Sequence, residues 1–192
     1  MDKSLLQKKF RFVMIVSALA LFLTIVLPAY FRGGSAAKSY PGVIMMWTVL
    51  FGAGGGSTLN NIFDFSWIAF VGYSMVIVLL IICLARKFIT VDTKSKNNKG
   101  SIALDAICMI CCLISLVMFI VLPISLPRES ALAKFVIDSY VFGLSFIFAY
   151  ILLSVMLISS LIVLYAESIV KFMNLNKKNA KKEVKKDNES NE

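Results

Sequence analysis

Apolar positions in this chain gather into four long runs, separated by stretches where charged and small polar residues collect. The runs are Phe12–Ala29, Trp67–Ala85, Ile102–Leu122 and Tyr140–Tyr165. The first, 12 to 29 inclusive, has 18 residues and as a helix would extend about 27 Å, close to the thickness of a bilayer's hydrocarbon. Each run is therefore predicted to be a membrane-crossing helix. A cleaved signal peptide is the rival reading for the first run. Its apolar core would be about 7–15 residues long and followed by a small-residue cleavage site. Gly34-Ser35-Ala36 is a poor one, so a retained helix is expected. The fourth run is longer than a bilayer needs and is expected to tilt or project beyond it.

The breaks differ in character. Residues 30–66 form the longest one and hold an apolar stretch, Val43–Phe51, followed by Gly52-Ala53-Gly54-Gly55-Gly56-Ser57. That stretch is too short to cross a bilayer, which takes about 20 apolar residues. An interfacial helix, a re-entrant segment or a short β-strand would each fit. The β-branched and aromatic residues and the glycine run favour a strand and turn. Residues 86–101 are polar and basic, and residues 123–139 make a second, shorter break.

Charge turns this pattern into a topology. Lys and Arg number four in Met1–Arg11, five in Arg86–Gly100 and seven in Glu167–Glu192. The other two breaks hold only Arg32 with Lys38 and Arg128 with Lys134. Cationic residues are retained on the cytoplasmic side. Both termini and the 86–101 hinge are therefore expected in the cytoplasm, with 30–66 and 123–139 outside the cell membrane. The expected organisation is a cytoplasmic N-terminus (1–11), a four-helix transmembrane domain (12–170) and a basic cytoplasmic tail (171–192). In class it is an all-α membrane bundle whose long first outer loop has room for a short strand. The composition agrees: 59% hydrophobic, 16% charged, mean hydropathy +0.84, against about a quarter charged in soluble domains. The net charge of +9 is confined to alternate breaks, so nucleic acid is not an expected partner.

Little catalytic chemistry is on offer. There is no His, which removes the commonest general base and metal ligand. Cys108-x-x-Cys111-Cys112 and Cys83 lie inside apolar runs, where Cys packs as a small polarisable residue. S-acylation of Cys83 beside Arg86-Lys87 is a second reading, and redox or metal chemistry a third. No run carries a charge at its centre. Asp105 lies about one turn inside the third run, within expected reach of Lys99 or Lys87, and Glu167 and Asp138 sit at run ends. Ser17, Thr24, Ser115, Ser145, Ser154, Ser159 and Ser160 are read as helix-packing groups. No nucleophile–base pair or phosphate loop stands out, so no cofactor and no enzyme activity is expected. In the tail, Lys177, Lys178, Lys181, Lys182, Lys185 and Lys186 recur in pairs every four residues. On one helical face they would meet anionic headgroups of the bilayer.

The first and third runs end alike, Ile25-Val26-Leu27-Pro28 and Ile120-Val121-Leu122-Pro123, a hint of duplicated halves. The order of parts, with Tyr40-Pro41-Gly42, Val49-Leu50-Phe51-Gly52 and Phe65-Ser66-Trp67 leading to Gly72-Tyr73, resembles small bacterial four-pass membrane proteins of unassigned function with a claudin-like layout. Claudins carry a cysteine pair in the first outer loop, and this chain has none there. The resemblance thus implies architecture and not a paracellular role. The function expected is that of a non-catalytic scaffold, accessory or partner-binding subunit, with a protein partner or a second copy. A small transporter or channel component is the alternative.

Overall fold

The computed structural model describes residues 3–32, 43–52, 65–89, 98–125 and 140–175. It is mostly helical. Helix α1 covers Lys3–Leu23 and continues as a 3-10 turn over Thr24–Val26. Strands β1 (Pro28–Arg32) and β2 (Val43–Met45) precede the short helix α2 (Met46–Phe51). Helices α3 (Trp67–Ile89) and α4 (Asn98–Ser125), strand β3 (Tyr140–Phe142) and helix α5 (Leu144–Leu164) follow. After a turn at Tyr165 the chain is helical again over 166–175. Among the described residues, four helices are long and apolar enough to cross a bilayer: Lys3–Val26, Trp67–Ala85, Ile102–Ser125 and Leu144–Leu164.

The helix bounds differ from the apolar runs, each for a local reason. At the start, α1 takes in the basic lead-in because Leu6 is buried and Phe10 packs on the core. At its end, Pro28 has no N–H to give the carbonyl four residues back, so a helix cannot run on regularly to Ala29. The freed Thr24 carbonyl accepts Leu27 N–H (3.1 Å) and the Ser145 hydroxyl (2.8 Å) instead. Pro123 falls in the last turn of α4, which nevertheless continues to Ser125. The carbonyl it leaves is that of Phe119, and the Tyr150 hydroxyl donates to it at 3.1 Å. Residues 140–142 form a strand and not the start of the fourth helix.

That strand completes a small antiparallel sheet in the order β2-β1-β3. Tyr30 pairs with Ile44 on one side and Phe142 on the other, so β1 ties residues 43–45 and 140–142 together. Between Pro28 and Tyr30 the β1–β2 register slips by one residue, a bulge that bends the strand. Gly143 lies directly over β1. Its N–H reaches the Ala29 carbonyl at 2.7 Å, and a Cβ placed there would come 2.3 Å from the Pro28 oxygen. Only glycine permits this approach, and α5 begins at the next residue. The stretch expected as a strand and turn, Val43–Phe51, is a strand only to Met45 and then a helix. Met46 N–H donates to the Leu27 carbonyl (3.0 Å), and Gly52 closes α2 at φ 81°, a left-handed position suited to glycine. Ser66 then caps α3, its hydroxyl accepting Ala69 N–H at 3.3 Å.

Helices α1 and α5 pack antiparallel, as do α3 and α4, while α4 and α5 join the two pairs. The interior is filled by Leu21, Leu79, Phe119, Leu122, Phe146, Leu153 and Met156. At Gly72 the α4 helix comes so close that an added Cβ would meet Phe119 at 3.1 Å. Beside it the Tyr73 ring stands edge-on to Phe119 at 5.0 Å. We expect Gly143→Ala to cost about 1–3 kcal/mol, the usual cost of overpacking, seen as a lowered melting temperature in detergent. Gly100→Ala, with nothing within 4 Å of the new methyl, should leave melting unchanged or slightly raised.

Candidate functional site

Charge is rare in the interior, so where it occurs it marks the site to examine. Arg11 belongs to the face of α1 that buries Leu6, Met14 and Ala18, one turn before Met14 and two before Ala18. Asp105 lies about two turns into α4 and is itself buried. One guanidinium nitrogen, Nη2, donates to both carboxylate oxygens, at 3.3 and 3.2 Å. Only 19% of the Arg11 side chain and 7% of the Asp105 side chain are accessible. The Arg11 Nε is buried with no hydrogen-bond partner among the described residues.

Around this pair all four long helices converge. A cavity of about 10 Å3 is lined by Arg11 and Met14 of α1, Cys83 of α3, Asp105 and Cys108 of α4, and Ser160 and Val163 of α5. It is sized for about one water. Taking two charges out of water is expensive, and their mutual attraction repays it only with good geometry. The pair is thus a fastener whose integrity depends on both members. It holds α1 to α4, which face each other across a diagonal of the bundle.

The expected partners of Asp105 were Lys99 or Lys87, whose side chains lie outside the described residues; Arg11 is the partner the structure shows. Cys83, Cys108, Cys111 and Cys112 are all buried. Cys83 faces the cavity, so an acyl chain on its sulfur would require the helices to part. Cys112 shares a hydrogen bond with Ser160. Among the described residues no group of three or more His, Cys, Asp or Glu is arranged to hold a metal ion. Several hydroxyls of the helices serve backbone groups. Ser115 donates to the Gly72 carbonyl (2.9 Å) and Ser160 to that of Leu157 (2.8 Å). Thr24 donates to Leu21 (2.6 Å), so in its 2.9 Å contact with Tyr73 the tyrosine is the donor. Ser154 alone of the hydroxyls named from the sequence faces outward.

Beyond the cavity, α1 and the end of α5 are joined by polar contacts. Gln7 donates to the Val163 carbonyl at 3.2 Å. Glu167 bridges Lys3 (2.9 Å) and Lys171 (3.2 Å). The lysine pairs at 177–178, 181–182 and 185–186 lie outside the described residues. At the opposite end Tyr30 is buried against Phe146, with ring centroids 5.3 Å apart. Burial pushes its phenol well above the ordinary range, and its hydroxyl has no hydrogen-bond partner among the described residues.

Two outcomes follow. Asp105→Ala should destabilise the bundle by about 3–5 kcal/mol, because it strands a buried guanidinium, whereas the double variant Arg11→Met/Asp105→Leu should recover most of that loss. Unfolding of both in the same detergent measures the difference. At the surface, the hydrogen bond from Lys3, followed by that from Lys171, holds the Glu167 carboxyl below its ordinary 4.5. The folded value being depressed, this contact is fully present above pH 4.5 and is lost as pH falls through the lowered value. Carbon NMR of the Glu167 carboxyl should show the midpoint rising in Lys3→Gln and, by less, in Lys171→Gln.

Set beside known proteins, the chain stands on its own geometry: no family model, curated protein or solved structure matches it.

Proposed function

We propose that this chain is a four-pass protein of a bacterial cell membrane, with both termini and the 86–101 hinge in the cytoplasm. In this reading it acts without catalysis, as a scaffold, accessory or partner-binding subunit, and the sheet end outside the membrane is its recognition surface. One observation carries the reading. The interior is closely packed and the hydroxyls of Ser115, Ser145 and Ser160 are spent on backbone carbonyls, while the sheet end turns apolar side chains outward, Val141 and Phe142 at 60% exposure each. Strands from residues 28–32, 43–45 and 140–142 meet in one sheet at that end. The lysines of the tail would add contact with anionic headgroups on the cytoplasmic side.

A second reading, a component of a small transporter or channel, is favoured by the Arg11–Asp105 pair, since ionisable groups within a membrane often line transport paths. The two readings separate in two measurements. A cross-linked pull-down from native membranes should recover a stoichiometric protein partner, and purified protein in proteoliposomes should show no flux above empty vesicles. Flux abolished by Asp105→Asn would instead establish the transport reading. A reporter fused after Lys94 should be active only on the cytoplasmic side.

A further inference from the structure

The geometry points to α2 as a foot that lies in the outer interface of the bilayer, with Trp47 and Phe51 set among the lipid headgroups and upper acyl chains. This inference rests on the bilayer-crossing reading above and adds to it a partner for one surface. Depth is fixed first. The first N–H of α2, on Met46, bonds to the Leu27 carbonyl just past the end of α1, and the Leu50 carbonyl accepts Ser66 N–H at the start of α3. A helix pinned at both ends to the mouths of two crossing helices sits at the level where those helices leave the hydrocarbon.

Chemistry then decides what covers it. From Val43 to Gly52 there is no charged residue, and the polar Thr48 is buried. One face of α2 packs inward through Met46, Val49 and Leu50. The other turns Trp47 and Phe51, one turn apart, outward at 48% and 59% exposure. A short helix apolar on both faces has no side suited to water. Aromatic rings with an apolar body are favoured at the headgroup boundary, about 5–10 Å into which interfacial helices sink. A second aromatic group lies beside the anchor point at Ser66. Phe65, Trp67 and Phe70 are mutually in ring contact, at 4.9, 5.5 and 6.0 Å between centroids, and Trp67 is 70% exposed. Phe65 and Trp67 flank the very residue that holds the end of α2, so both groups share one height. A protein partner on this face would have to displace lipid from it.

The chain has only two tryptophans, and both belong to these groups, which gives a direct test. Trp67→Phe leaves Trp47 as the sole reporter on α2, and Trp47→Phe leaves Trp67 as an internal reference on a crossing helix. Each full-length variant is reconstituted in phosphatidylcholine vesicles carrying bromine near the carbonyl end of the acyl chain. Emission is then compared with and without bromine, and with aqueous iodide. The expected result is that Trp47 is quenched by bromine as strongly as Trp67 and shielded from iodide. Trp47 open to iodide while Trp67 is quenched by bromine would overturn the inference and leave the bilayer-crossing reading standing. Shielding of Trp47 from both quenchers would also overturn it, placing protein or a second copy on this face. Loss of bromine quenching at Trp67 as well would overturn both readings together.

Discussion

A carbonyl left without its helical partner inside an apolar interior must find another donor, because no solvent is there to supply one. Two prolines at helix ends create such carbonyls here, on Thr24 and Phe119. Both are answered from the same helix, by Ser145 and Tyr150 of α5. The position of α5 is thereby fixed against the ends of α1 and α4 at once. Around these bonds cluster the rings of Tyr30, Phe142, Phe146 and Tyr150, and the sheet follows from the same placement, since β3 runs directly into α5. Hydrogen bonding thus determines which helix stands where, and dispersion between rings fills the space that results.

The opposite end of the bundle is organised by charge. Arg11 and Asp105 meet where the four helices come together, and Glu167 draws α1 towards the extension of α5. The two arrangements differ in worth. An exposed ion pair contributes little, so the Glu167 bridges orient the helix ends and add only marginally to stability. The buried pair is different in kind, since removing one member leaves the other uncompensated. Between these ends the core carries no charge, and close packing at Gly72 and Phe119 sets how near α3 and α4 can approach.

Much of this was legible from residue type alone. Uninterrupted apolar runs announce the four helices because a bilayer-length helix needs little else. Their ends were less legible. A proline reads as a stop, yet α4 passes through Pro123 because Tyr150, distant in sequence, answers the carbonyl it frees. Residues 140–142 read as helix since Tyr-Val-Phe is apolar, while their state is set by β1, more than a hundred positions earlier. Nothing local to Gly143 reveals that its missing side chain makes room for Pro28. Arg11 looks like one more cation of a basic lead-in. The signal that could have singled it out is its place on the stripe of Leu6, Met14 and Ala18, which puts it on the buried face. The matching Ile-Val-Leu-Pro endings lead to unlike structures, a strand after Pro28 and another helical turn at Pro123, so identical words here take their meaning from different neighbours.

The pairing of α1 with α5 joins two helices that lie more than a hundred residues apart in the chain. Until residues 144–164 emerge from the ribosome, α1 lacks the helix against which it packs most extensively. The Thr24 carbonyl then waits without Ser145, Gln7 without Val163, and Lys3 without Glu167. The α3–α4 hairpin, whose contacts are close in sequence, is free to assemble meanwhile, and the arrival of Asp105 gives Arg11 its counterion before α5 exists. Chain order therefore brings α5 to α1 only after the α3–α4 hairpin has been made, and β3, which runs directly into α5, reaches β1 with it.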